Sequence, residues 1–216
     1  MNKKKIIITA SLLTMFAVIG AAMVGFTFLQ TADDIIYNEK LTLLRKLNHI
    51  LPSEKYDNDL LHDTIMIKPA TQLGTNRETS AYRARKGDQD VAVVLSSIAP
   101  SGYNGPIELL VGIYTDGKLA GVRVVKHRET PGLGDVVDIA RSDWILGFDN
   151  RSLADPDEMH WKVKRDGGVF DQFTGATITP RAVVKAVHNA LIYFQQNQEK
   201  LFKKNDEDIE THKSHP

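Results

Sequence analysis

From Ile6 to Leu29 the chain runs without a single charged side chain, directly behind Lys3, Lys4 and Lys5. As a helix rising 1.5 Å per residue, such a run reaches roughly 36 Å, enough to cross a hydrocarbon core of about 30 Å with some tilt. A membrane span at 6–29 is therefore predicted, with 1–5 as a cytoplasmic start. The alternative is a cleaved signal peptide, for which Gly20 and Ala22 offer a small-residue site, but the run exceeds the usual apolar region of about 7–15 residues. Lysines stay on the cytoplasmic side, so the chain after Gln30 is expected on the far face of a bacterial inner membrane, in the periplasm.

Beyond that span the chain has room for one ordinary domain with a sizeable core. Lys+Arg and Asp+Glu balance at 27 each, and no basic stripe invites a nucleic acid. The sequence has no cysteine. That removes cysteine-ligated iron–sulfur clusters, c-type haem attachment, thiol catalysis, disulfides and a lipoprotein anchor. His49, His62, His160 and His188 stand as isolated surface or packing residues, so no metal site is expected, and His212 and His215 fall in a polar tail.

From Asp33 onward Ile36, Leu43, Leu44, Leu47 and Leu51 recur at helical spacing until Pro52, which predicts an amphipathic stalk over 30–52. The domain proper is expected at 53–202. Within it TIMIKP, SAYRARKGD, VAVVLSSIAP and IELLVGIYTDGKLAGVRVVKH read as β-branched strands, with Asp116-Gly117 set for a tight hairpin. SDWILGF reads as helical, MHWKVKR as a short strand and DGG as a turn. A long helix follows from Pro180 to about Phe202, with Val183, Val184, Val187, Leu191 and Phe194 on one face. The fold class is α+β, an antiparallel sheet plus helices, and 203–216 is a polar tail.

Two loops carry the candidate chemistry. In DQFTGATITPRAVVKAVHNAL, Thr179 suits a helix N-cap and Pro180 a first helical residue, which leaves Thr174 and Thr177 to be explained. A hydroxyl just ahead of a helix faces unpaired N–H groups and the positive end of the helix dipole, which together favour a phosphate. Gly175 and Ala176 would leave that backbone open to a bulky adduct. A plain threonine-rich capping turn fits the same pattern. The second loop, KHRETPGLGD, holds Pro131, Gly132 and Gly134 behind a strand, so its backbone could approach a flat ring; an ordinary strand-to-helix turn fits it as well. Trp144 and Trp161 could stack on such a ring, although core packing is the commoner use of tryptophan.

Asp171, Thr174, Gly175, Ala176 and Thr177 match the D-x-x-[S/T]-G-A-T motif at which flavin transferases attach FMN to threonine through a phosphoester. HRETPGLGD resembles the flavin-site stretch of the RnfG and NqrC families. With the anchor, APSGYNGPIELLVG and SDWILGF, the likeness to the G subunit of the Rnf (Rsx) ion-translocating electron-transport complex spans nearly the whole chain.

The resemblance implies a membrane-anchored periplasmic flavoprotein, phosphoester-modified at Thr177. It would carry electrons in a translocase that couples NADH or ferredoxin oxidation to ion movement, and would not be a stand-alone catalyst. It implies cofactor contacts from Thr174, Gly175, Ala176, Glu129, Thr130, Gly132, Leu133 and Gly134, with Asp171 guiding the transferase or ordering the loop, and no catalytic residues. Expected partners are the other Rnf subunits, the membrane and, during maturation, the flavin transferase. The alternatives are the equivalent NqrC subunit of a sodium-pumping quinone reductase, or a non-redox periplasmic binding or assembly module.

Overall fold

The computed structural model describes residues 3–203, so His212, His215 and all but the first residue of the expected tail lie outside the described residues. Helix α1 runs Lys3–Ile50. Its apolar side chains from Ile6 to Leu29 are exposed, and the helix is long and apolar enough to cross a membrane. Hydroxyls within this stretch are satisfied locally: Thr14 and Thr27 each donate to the carbonyl four residues earlier at 2.9 Å. That back-bonding lets a threonine sit in an apolar helix without an orphaned donor.

The chain divides into two compact units between Leu43 and Leu44. Within the second, the last turns of α1 belong to the core: Leu47 and Leu51 are fully buried and Ile50 nearly so. Two cations tie the end of that helix to the sheet. Arg123 Nη2 donates to the His49 carbonyl at 2.6 Å, and Lys46 Nζ reaches the Val124 and Val125 carbonyls at 3.2 and 2.9 Å. A guanidinium at a helix carboxy terminus meets orphan carbonyls and the negative end of the dipole together. Pro52 then stops the helix, as the sequence predicts.

Five strands follow: β1 (Thr64–Ile67), β2 (Thr79–Lys86), β3 (Gln89–Gly102), β4 (Gly105–Tyr114) and β5 (Leu119–Lys126). They form one antiparallel meander in chain order. Asp116 and Gly117 make the β4–β5 hairpin as expected, with Gly117 in the left-handed region at φ 84° and its N–H on the Tyr114 carbonyl. Helix α2 (Ile178–Phe202) lays Val183, Val184, Val187, Leu191 and Phe194 into the core with Val93, Leu95, Val111 and Ile113 of the sheet. The α+β expectation holds.

Between β5 and α2 the chain is mostly short 3-10 turns. SDWILGF is helical, as a 3-10 segment Asp143–Phe148 capped by Ser142, whose hydroxyl accepts the Trp144 N–H. MHWKVKR is not a strand. Its alternation of exposed and buried residues is real, because Trp161 and Val163 are buried, but the ladder reduces to a single bridge between Val163 and Phe170. Trp161 instead joins Phe148 and Phe170 in an aromatic cluster, with Glu158–His160 and Lys164–Asp166 as 3-10 turns on either side. The periodicity is satisfied by packing, without a neighbouring strand.

Candidate functional site

Three loops meet at the start of α2. The β3–β4 turn brings Tyr103 and Asn104, the segment after β5 brings Glu129 to Asp135, and the threonine segment leads into the helix. Between them is a cavity of about 380 Å³. That volume lies in the range of roughly 300–1,000 Å³ typical of small-molecule and cofactor sites. Its apolar surface comes from Tyr103, Leu133, Ala176 and Ile178, and its polar surface from Glu129, Thr130, Thr177 and Thr179.

The threonine segment is shaped by its glycine. The Ala176 N–H reaches the Phe173 carbonyl at 3.2 Å, closing a four-residue turn in which Gly175 has φ 83°. Position three of a type II turn requires that left-handed backbone, which glycine adopts at no steric cost. The turn delivers Thr177 to the N-cap position of α2, half-buried on the cavity lining. Its side chain makes no capping hydrogen bond, and its carbonyl accepts from Arg181 N–H at 3.5 Å. A hydroxyl uncommitted to the backbone thus stands at the positive end of a 25-residue helix.

Thr179 is not the helix cap expected from sequence. The helix starts at Ile178, two residues ahead of Pro180, Thr179 is 1% exposed, and its hydroxyl donates to Glu129 Oε2. Glu129 Oε1 accepts the Asn104 N–H at 3.0 Å, so this one carboxylate ties the helix start to the β3–β4 turn. Asn104 Nδ2 donates in turn to Thr130 Oγ1 at 3.0 Å. The local sequence signal for a cap was genuine, but a buried acceptor from a distant loop claimed the hydroxyl.

Of the residues singled out in the sequence, Glu129, Thr130, Leu133, Gly134, Gly175, Ala176 and Thr177 line the cavity, while Gly132, Thr174 and Asp171 do not. Gly132 turns the loop at φ 77°, its N–H on Asp135 Oδ1 at 2.7 Å and open space where a Cβ would stand. Gly134 is packed inward: a Cβ there would lie 2.6 Å from Glu129 Oε2 and 2.9 Å from Thr179 Oγ1. Its small size is thus required by the protein's own carboxylate clamp. Thr174 is exposed. Asp171 pairs with Lys164 Nζ at 2.6 Å, and its carbonyl accepts the Trp144 Nε1–H at 2.8 Å, so Trp144 steadies the segment from outside the cavity.

Sequence reasoning missed Tyr103 and Ile178. The available signal for the first was a tyrosine in the otherwise small and polar SGYNG stretch, which the structure leaves exposed. For the second it was an isoleucine set between Thr177 and Thr179, which the structure leaves exposed at the head of the helix. Away from the cavity, His188 stacks on Trp161 with ring centroids 5.3 Å apart, and burial holds its imidazole below the ordinary histidine range, against a smaller upward pull from Glu158. Among the described residues no three His, Asp or Glu gather as a metal site.

Residues 102–192 match the FMN-binding domain family, and that interval contains every residue lining the cavity. Residues 1–50 match the RnfG N-terminal region. The G subunit of the ion-translocating oxidoreductase complex of Pseudoalteromonas atlantica is 45% identical over 91% of this chain and 91% of its own. The protein of the same name from Shewanella loihica is 45% identical over 92% and 94%. That of Pseudomonas aeruginosa is 46% identical over 93% and 94%. The chain belongs to the RnfG family, the G subunits of ion-translocating oxidoreductase complexes.

FMN is the cofactor of its matched domain, and the cavity fits the two ends of that molecule. A helix amino terminus with the Thr177 hydroxyl suits the phosphate, and the apolar surface of Tyr103, Leu133, Ala176 and Ile178 suits a flat ring.

Proposed function

We propose that this protein is a flavoprotein electron carrier anchored in the bacterial inner membrane by α1, with its FMN-binding domain in the periplasm and its FMN joined to Thr177 by a phosphoester. In the assembled translocase it would pass electrons between neighbouring subunits on the path from NADH or ferredoxin, while other parts of the complex move the ion. FMN supplies the redox chemistry when bound.

The observation that carries this reading is the convergence of both candidate loops on one cavity, with Thr177 on its lining and free of any capping bond. Each part of the protein then has a task. The Thr177 oxygen gives up its proton and forms the P–O bond once, during maturation by a flavin transferase, as the donor's leaving group departs. The helix start balances the phosphate charge. The left-handed turn at Gly175 keeps side-chain bulk away from the modified residue. Trp144 and Lys164 hold Asp171 and so the approach to the turn. Glu129, bridging Thr179 and Asn104, keeps the cavity's polar corner in place. Lys3 to Lys5 ahead of the apolar stretch support the orientation.

Attachment suits this location because a carrier that released its flavin outside the cytoplasm would have no local supply. The test is the full-length chain made together with a flavin transferase and run on a denaturing gel. A flavin-fluorescent band at the mass of the chain is expected. A dark band would overturn the phosphoester at Thr177, leaving FMN held without a covalent bond.

A further inference from the structure

Of the residues lining the cavity, Glu129 alone is acidic, and it is 5% exposed. Both its oxygens are hydrogen-bonded, to the Asn104 N–H at 3.0 Å and to the Thr179 hydroxyl, donors that a carboxylate can accept from without holding a proton of its own. Both donors are neutral. Asp135, buried to the same degree on the next turn, is matched by Arg141 Nε at 3.3 Å. Burying an acid with only neutral donors is costly, and glutamine could bridge the same two elements without the charge. The clamp explains the shape of this side chain but leaves its charge unexplained.

We propose that Glu129 sets the flavin potential: its fixed negative charge in the cavity wall disfavours the arrival of an electron on the ring held there, and so keeps the midpoint potential low. This rests on the cavity being the FMN site. No bond forms or breaks at Glu129 and it passes on no proton; the electron comes from one neighbouring redox centre and leaves to another. A volume of 380 Å³ is that of a sphere about 9 Å across, and Glu129 is on its lining. At an effective dielectric of about 20, unit charges up to about 12 Å apart shift an equilibrium about tenfold or more. Glu129 is close enough for its charge to be felt anywhere in the cavity.

The experiment is a spectroelectrochemical titration of the flavinylated full-length protein in detergent, as wild type, Glu129→Gln and Glu129→Asp. Glu129→Gln should raise the ratio of reduced to oxidised flavin about tenfold at a fixed applied potential, equivalent to about 59 mV for a one-electron step. Glu129→Asp, which keeps the charge, should stay nearer the wild type. An unchanged potential in flavinylated Glu129→Gln overturns the proposal and leaves Glu129 as a clamp. Should that variant not fold or not acquire flavin, the wild type decides: with glutamate labelled at its carboxyl carbon, the reduced-minus-oxidised infrared spectrum should contain a shifted carboxylate band. A flat carboxylate region overturns the proposal too. A wild-type chain without flavin would instead defeat the functional reading beneath it.

Discussion

Gly134→Ala should destabilise the domain through a contact that has nothing to do with the cofactor. A methyl at Gly134 would sit 2.6 Å from Glu129 Oε2, 2.9 Å from Glu129 Cβ and 2.9 Å from Thr179 Oγ1. All three atoms belong to the buried clamp, which is tied at both oxygens and cannot swing aside without breaking a hydrogen bond. Overpacking of this kind costs about 1–3 kcal/mol. At roughly 2–4 °C per kcal/mol for a domain of this size, the melting temperature should fall by about 2–12 °C. Gly132→Ala is the control. It carries the left-handed backbone cost of about 1–2 kcal/mol, but its methyl enters open space, so its cost should be the same with and without the Thr179 hydroxyl.

The assay is thermal unfolding of the detergent-purified chain made without a flavin transferase, in a cycle with Thr179→Ala. Because the new methyl collides with the Thr179 hydroxyl, Gly134→Ala should cost less in the Thr179→Ala background, with a coupling of about 0.5–3 kcal/mol. Strictly additive costs, or a Gly134→Ala protein that melts with the wild type, would refute the clamp argument.

Thr179→Ala alone should lose about 1–3 kcal/mol in the same melt, the cost of removing a donor from a buried carboxylate, while Thr179→Ser recovers most of it and flavin still attaches in both. Trp144→Phe keeps the aromatic contacts to Phe148 and Phe173 but removes the 2.8 Å bond to the Asp171 carbonyl; in-gel fluorescence should report slower flavin attachment, and an unchanged rate would separate Trp144 from the loop. His188 supplies a pH test. Its folded pKa is depressed by burial, so the unfolded chain takes up the proton first. The contribution is complete above the unfolded value of about 6.5 and is lost as pH falls through the folded value. Melting temperature should therefore drop more steeply on acidification in the wild type than in His188→Gln, and parallel curves would contradict the assignment.

The sheet was legible because its strands are β-branched runs punctuated by glycine and aspartate, and α2 because its apolar positions keep a helical period. MHWKVKR shows where that logic fails: alternation records burial, and Trp161 found its burial in an aromatic cluster. At the site, the residues on local turns were readable, since Gly175 and Thr177 depend on neighbours in sequence. What depends on contact across the fold was not. Thr179 looked like a cap until Glu129, fifty positions away, took its hydroxyl, and Tyr103 came into the cavity only through the β3–β4 turn. Gly132 and Gly134 looked equivalent in the sequence, yet one serves the loop's backbone and the other makes room for a carboxylate.

A phosphoester at Thr177 would leave its mass on one peptide, which peptide mass spectrometry can read. Wild type, Thr174→Ala and Thr177→Ala are each made with a flavin transferase and digested. Thr177 lines the cavity whereas Thr174 is exposed outside it. The mass of FMN less one water should therefore appear on Thr177 in the wild type, persist at lower yield in Thr174→Ala, and vanish in a folded Thr177→Ala. FMN still attached in Thr177→Ala, or mapped in the wild type to Thr174 or Thr179, would contradict the account.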